Sequence, residues 1–269
     1  MPFLLLGHHR SGSSFINSLV RSHPHIESIN EPFSQHLDVF RQVDFIPWAA
    51  EEFSEECLHP CITPHGETDA YLRDLRKWLL APGDVIRGFK ETTLFEKIPW
   101  LMRLLGPLPA ILLTRDPRAI VNSIVRRRMH ESWWNYRQRL ETYVATGGHI
   151  PDGTSLDDPI SLTAAIWSIR MELGLCAAQE LGWLIIRLED LVQDAETWLP
   201  RMMNFLGTEA HSRQWDFLND SWKETRGGTY SSRREPRMVL EHWRETLSYE
   251  NQRTIESIAW RPMAQLRYT

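Results

Sequence analysis

Short apolar runs alternate with amphipathic stretches along this chain. Phe3 to Gly7 (FLLLG) reads as a buried strand, and Ser13 to Arg21 carries Phe15, Ile16, Leu19 and Val20 on one helical face. A strand is predicted over His25 to Asn30, a helix over Ala70 to Leu80, a strand over Val85 to Phe89 and a helix over Leu94 to Leu105. Ala110 to Thr114 (AILLT) is a further buried strand, with a helix over Arg118 to Arg128 after Pro117. Ser161 to Leu181 is a long helix closed by Gly182, followed by a strand over Trp183 to Arg187 and a helix over Thr197 to Leu206. From His211 onward the pattern is helical, broken by the polar stretch Thr225 to Arg234. Strands separated by helical crossovers predict an α/β protein with a mainly parallel sheet covered on both faces.

Two stretches, about 35–82 and 129–158, break this pattern and read as insertions in a single domain spanning 1–269. There is no internal repeat. The apolar start is too short for a signal-peptide core, and no stretch of about 18 apolar residues marks a membrane span, so a soluble, cytoplasmic protein is expected. A hydrophobic fraction of 42% and a charged fraction of 24% are those of a globular protein rather than a disordered one. The net charge of −5 speaks against a nucleic-acid coat, but permits a nucleotide site whose positive charge is gathered in one cleft. Cys57 and Cys61 lie near His59 and His65, yet no second ligand pair completes a zinc pattern; no metal is expected.

The first predicted strand runs into Gly7-His8-His9-Arg10-Ser11-Gly12-Ser13-Ser14, and a helix begins at once. The glycine spacing is that of a phosphate-cradling P-loop, in which backbone amides and a helix N-terminus hold an anion. It places the fold as a P-loop-type three-layer α/β/α with helical insertions and a helical C-terminal segment. Ser13 stands where a nucleotide kinase needs lysine, and positive charge comes instead from Arg10. A second element, Thr114-Arg115-Asp116-Pro117-Arg118, has Ser123 eight residues after Arg115. A strand-end arginine and a helix serine at that spacing can converge on a second phosphate.

These motifs resemble those of the sulfotransferases that use 3′-phosphoadenosine-5′-phosphosulfate (PAPS). Arg10-Ser11-Gly12-Ser13-Ser14-Phe15, with His23-Pro24 and Asn30-Glu31-Pro32, is similar to the 5′-phosphosulfate loop of carbohydrate (Golgi-type) and tyrosylprotein sulfotransferases. Arg187-Leu188-Glu189-Asp190-Leu191 resembles a family strand end, with Leu188 in place of the usual tyrosine, and His242 precedes Trp243 where relatives often carry lysine. The segment from Gly227-Gly228 through Trp243-Arg244 to Tyr268 is similar to the region that closes over the nucleotide.

The resemblance implies that Arg10, Ser11, Gly12, Ser13 and Ser14 bind the 5′-phosphosulfate. Arg115 and Ser123 would bind the 3′-phosphate, and Ser231, Ser232 and Arg233 would close the site. Glu31, after the second predicted strand, is expected as general base, brought to working pH by burial. Lys90, at a strand end, would neutralise charge on the oxygen that departs with the nucleotide product, PAP. His8 and His9 are an alternative source of a base but are expected to pack within the loop.

Of the 12 tryptophans, Trp167, Trp198, Trp215 and Trp260 are expected in the core, whereas the adjacent pair Trp133 and Trp134 offers a flat surface to a substrate ring. Arg126, Arg127 and Arg128 read as a solvated helix end rather than a lure for an acidic acceptor. The acceptor expected is a hydroxyl of a carbohydrate, glycoside or other small-molecule natural product. The alternatives are a tyrosylprotein-type enzyme acting on peptide, a P-loop small-molecule kinase, or a nucleotide-binding regulator without turnover.

Overall fold

The computed structural model describes residues 1–32, 74–131, 136–145, 147–223 and 236–268. Five strands form one sheet: β1 (Phe3–Gly7), β2 (Ile26–Asn30), β3 (Ile86–Glu91), β4 (Ala110–Thr114) and β5 (Leu184–Arg187). They run in the order β2-β3-β1-β4-β5, and every neighbouring pair is parallel. β1 and β4 are fully buried, as central strands of a parallel sheet must be.

Alternation along the strands divides the core in two. Leu4, Leu6, Ala110 and Leu112 face one layer, while Phe3, Leu5, Ile111, Leu113 and Ile186 face the other. The first layer is built by α2 (Ile98–Leu105), α3 (Pro117–Val125), α4 (Tyr136–Ala145) and α5 (Pro159–Leu181). The second is built by α1 (Ser13–Arg21), α6 (Leu188–Gln193), α7 (Ala195–Phe205) and α8 (Ser212–Lys223). Three more helices close the chain: α9 (Pro236–Thr246), α10 (Tyr249–Ile258) and α11 (Trp260–Gln265). Trp243, Ile255, Ile258 and Met263 join them to the first layer.

Each predicted strand is present, two with the predicted bounds and three with shifts of one or two residues at one or both ends. The helix predicted over Arg118 to Arg128 stops at Val125, and α6 occupies Leu188–Gln193, where no helix was expected. Tyr136–Ala145 is helical inside the second insertion. By length and composition α5 could cross a membrane, which the sequence did not lead one to expect, but 78% of its most apolar window is buried inside the fold. It is the central helix of the first layer.

Trp167 is fully buried, and Trp198 and Trp215 pack at the margin of the second core. Trp260, expected in the core, is exposed at the start of α11 with the Arg261 guanidinium stacked on it. The amphipathic pattern of so short a helix leaves its first position outside the buried face.

The topology positions a site. After β1 the chain turns to α1 on one face, and after β4 it turns to α3 on the opposite face. Adjacent parallel strands whose connections diverge in this way leave a crevice at their carboxyl ends, where ligands bind in open α/β sheets. The loops at that crevice are Gly7 to Ser14 and Thr114 to Asp116.

Candidate active site

The loop after β1 is tightly wound. Ser11 N–H donates to the His8 carbonyl at 3.0 Å, and Arg10 takes a left-handed conformation with φ 67°. A Cβ at Gly7 would lie 2.7 Å from Ser11 Oγ, so the tuck of Ser11 requires glycine there. Gly12 has φ 87°, and its Cβ would meet the Leu188 side chain at 2.9 Å. Gly12 opens α1, whose N-terminus has no side-chain cap and no acidic residue in its first turn. Its leading amides therefore need partners from outside the helix, and an anion could supply them.

Arg10 joins the loop to the second element. Its Nε donates to Ser123 Oγ at 3.1 Å, and its carbonyl accepts from Arg115 Nη1 at 3.1 Å. Arg127, one turn beyond Ser123, also donates to that Oγ, at 3.0 Å. Arg10, Arg115 and Ser123 are thus brought together, although the sequence assigned Arg10 to one phosphate and Arg115 with Ser123 to another. Arg127, assigned there to a solvated helix end, joins them; its spacing of four from Ser123 was the available signal.

The strand end carrying Arg115 is braced by buried acids. Asp116 caps α3 by accepting from the Arg118 amide at 2.8 Å and also pairs with the Arg118 guanidinium. Arg118 reaches on to Glu256 of α10 at 2.9 Å and lies under the Trp243 ring, 4.4 Å from its centre. Glu189 accepts from the Asp116 amide at 2.9 Å with one oxygen and from the Tyr268 hydroxyl at 3.2 Å with the other. Burial raises the Glu189 pKa, against the pull of the Asp116 amide and the Arg115 charge. Arg187 holds the Leu266 and Arg267 carbonyls, each at 3.2 Å, and stacks on Tyr268. The motif at Arg187 to Leu191 therefore ties the C-terminal segment to the end of β4. His242, the departure from related sequences, lies 2.8 Å from Arg126 Nη1.

Glu31 and Lys90 meet at the carboxyl ends of β2 and β3. Asn30 and Lys90 are register partners, the Glu31 amide donates to the Lys90 carbonyl at 2.7 Å, and the two side chains form an ion pair. Lys90 is 2% exposed and Glu31 27%, so the carboxylate is less buried than expected. Glu31 takes φ 51°, a conformation costly for a residue with a side chain and found where a site demands it. Thr92 donates to the same carboxylate at 3.3 Å. The sequence did not single out this threonine, which lies just beyond the end of β3.

His8 and His9 face inward from the loop. His8 Nδ1 is bonded to the His9 carbonyl at 2.9 Å, which fixes the proton there, and burial followed by the nearby Arg170 charge pushes its pKa down to about 3. His9 Nδ1 lies 3.3 Å from Arg170 Nη1 and is likewise held well below the usual range, chiefly by burial. Arg170 is fully buried with Glu96 at 3.4 Å, and Arg139 is lowered to about 9 by burial and by Arg170. Neutral, inward-packed histidines fit the packing role expected for them. Trp133, Trp134, Ser231, Ser232 and Arg233 lie outside the described residues, as do Cys57, Cys61, His59 and His65. Among the described residues no cluster of three or more acidic, histidine or cysteine side chains could hold a metal.

Known proteins share this architecture. The structure matches a sulfotransferase domain from the Synechococcus PCC 7002 olefin synthase with a TM-score of 0.52 and 16% identity, covering 96% of this chain and 94% of that one. A sulfotransferase domain from the curacin biosynthetic pathway matches with a TM-score of 0.55 and 17% identity, over 100% and 99%. Mouse sulfotransferase SULT7A1, solved in complex with PAP, matches with a TM-score of 0.54 and 12% identity, over 97% and 83%. No curated protein matches the sequence. At these identities the structural likeness speaks for the fold. The sequence speaks for the lineage: residues 2–212, which hold the loop after β1, the β4 end and the Glu31–Lys90 pair, match the model of the sulfotransferase family, and the chain belongs to that family.

Proposed function

We propose that this sulfotransferase takes its sulfuryl group from PAPS and delivers it to a hydroxyl of a carbohydrate, glycoside or other small-molecule natural product, with Glu31 as general base. The observation that carries the donor reading is the meeting of Arg10 with both Arg115 and Ser123. A loop suited to one phosphate group is thereby joined to a second cluster of guanidinium and hydroxyl donors. That matches a nucleotide phosphorylated at both the 5′ and 3′ positions. Ser13 in the lysine position of a kinase loop weighs against a kinase.

The loop amides from Ser11 to Ser14 and Arg10 would hold the 5′ end, with Arg115 and Ser123 on the 3′-phosphate. PAPS supplies a sulfuryl group on a good phosphate leaving group. Glu31 accepts the proton of the acceptor hydroxyl as its oxygen bonds to sulfur, while the bond from sulfur to the bridging oxygen breaks and its electron pair remains with the phosphate. Lys90 stabilises charge on that bridging oxygen. Its pairing with Glu31 couples the two events: protonating Glu31 removes the charge that holds the ammonium, which is then free to turn to the departing oxygen.

Two of the similar structures are a domain of an olefin synthase and a domain from the curacin biosynthetic pathway, which supports a small-molecule acceptor over a peptide. The PAP in the mouse protein supports the donor. The whole chain is read as one domain, with the insertions at about 35–82 and 129–158, including Trp133 and Trp134, shaping the acceptor side and Ser231 to Arg233 the nucleotide lid.

Calorimetric titration with PAP, beside adenosine 5′-phosphate and ATP, each without and then with Mg²⁺, tests the donor. Tight binding that needs the 3′-phosphate and is lost in Arg115→Ala is expected. A preference for Mg²⁺-ATP would promote the kinase instead.

A further inference from the structure

β3 ends one residue past Lys90, and Thr92 follows it, 4% exposed. Its hydroxyl donates to Glu31 Oε1 at 3.3 Å, and the Lys90 ammonium donates to that same oxygen. Among the described residues, both side-chain donors thus reach one oxygen of the carboxylate. An ionised carboxylate only accepts, so the single hydroxyl proton of Thr92 is committed to Oε1. The other oxygen, Oε2, is left to take the proton of the attacking hydroxyl.

The two donors differ in how firmly they hold. Lysine carries its charge on a flexible four-carbon stem. In the transfer, Lys90 must turn from Glu31 to the departing oxygen. Threonine is β-branched and stiff at χ1, and Thr92 is buried, so its hydroxyl stays in place. A carboxylate held by Lys90 alone would lose its side-chain restraint at the moment of transfer. Glu31 also has φ 51°, a conformation that persists only where surrounding contacts impose it. The bond from the Glu31 amide to the Lys90 carbonyl supplies one such contact at 2.7 Å, and Thr92 restrains the far end of the side chain.

We propose that Thr92 is a positioning residue for the reaction: its hydroxyl keeps the Glu31 carboxylate aimed at the acceptor while Lys90 turns to the leaving group. This rests on the reading of Glu31 as the base. A buried threonine that served packing alone would need its methyl group and its volume, not its hydroxyl.

The test follows the release of inorganic sulfate from radiolabelled PAPS, with water standing in for the acceptor. It compares the wild type, Thr92→Val, Thr92→Ser, Glu31→Gln and the double variant of Glu31→Gln with Thr92→Val, with PAP titration and thermal unfolding of each. Thr92→Val keeps the shape and removes the hydroxyl. Its kcat should fall about tenfold with KM for PAPS unchanged, the effect of losing one hydrogen bond in the transition state. Thr92→Ser should recover most of that loss. In the Glu31→Gln background, Thr92→Val should cost nothing further, because the hydroxyl acts through the carboxylate. Equal losses in both backgrounds, an undiminished rate in Thr92→Val, or a serine variant as slow as the valine one overturns the proposal and leaves Glu31 in place as base. A Glu31→Gln variant as fast as the wild type overturns the base itself, and this inference with it.

Discussion

The Lys90 ammonium is paired with the Glu31 carboxylate across adjacent parallel strands, and the same two residues are joined through their backbones by the Glu31 amide and the Lys90 carbonyl. Two independent links fix the separation of a candidate base and a candidate stabiliser of the leaving group. The positive φ of Glu31 lets the chain leave β2 while its side chain stays at the sheet edge.

Replacing Glu31 by Gln should lower kcat by about 10²- to 10⁴-fold, the range for loss of a general base, while PAP affinity is retained. The substitution also leaves Lys90 buried without its counter-charge. Because Glu31 is 27% exposed, the stability cost should be about 1–2 kcal/mol, below that of a fully buried pair. Steady-state kinetics with PAP titration checks this, and an equal loss of PAP affinity would sink the assignment.

Tyr268→Phe removes the donor to one oxygen of Glu189, a carboxylate that also holds the Asp116 amide. An acceptor left unsatisfied at a buried position should cost about 1–3 kcal/mol in urea unfolding. A midpoint equal to the wild type's would mean that the hydroxyl contributes nothing to the brace between the C-terminal segment and β4.

Stability should fall on acidification earlier than carboxylate titration alone would bring about. His8, with its pKa lowered from 6.5 to about 3, and His9, also lowered, stay neutral in the fold where the unfolded chain takes up protons. Their contribution is intact above pH 6.5 and is lost as pH falls toward the folded values, at a limit of about 1.4 kcal/mol per pH unit for each histidine. Glu96 and Glu189, both raised by burial from 4.5, act in the opposite sense: their contribution is present below 4.5 and is lost as pH rises through the folded values. The histidine contribution should therefore show as a difference: between pH 7.5 and 5 urea midpoints should fall more steeply in the wild type than in His8→Gln. An identical slope in that variant would rule out His8 as a source.

The strands were readable because burial has a local signature: FLLLG and AILLT are apolar on both faces, as central parallel strands require. The loop at Gly7 was readable because a P-loop is one contiguous segment. α6 escaped notice because six residues, Leu188–Gln193, span less than two turns and leave almost no periodicity. Trp260 misled for the same reason, its helix being equally short.

Residue order alone thus pointed to the layered α/β architecture, the loop after β1 and the candidate set of Arg10, Glu31, Lys90, Arg115 and Ser123. Each of these rests on a pattern within a few neighbours or on a motif. Tertiary structure decided which of them touch. The pairing of Glu31 with Lys90 spans 59 residues, that of Arg10 with Arg115 spans 105, and the bracing of Glu189 by Tyr268 spans 79. Such contacts depend on strand order and register, with β3 inserted beside β1 and β4 on its other side, and no local periodicity encodes that arrangement.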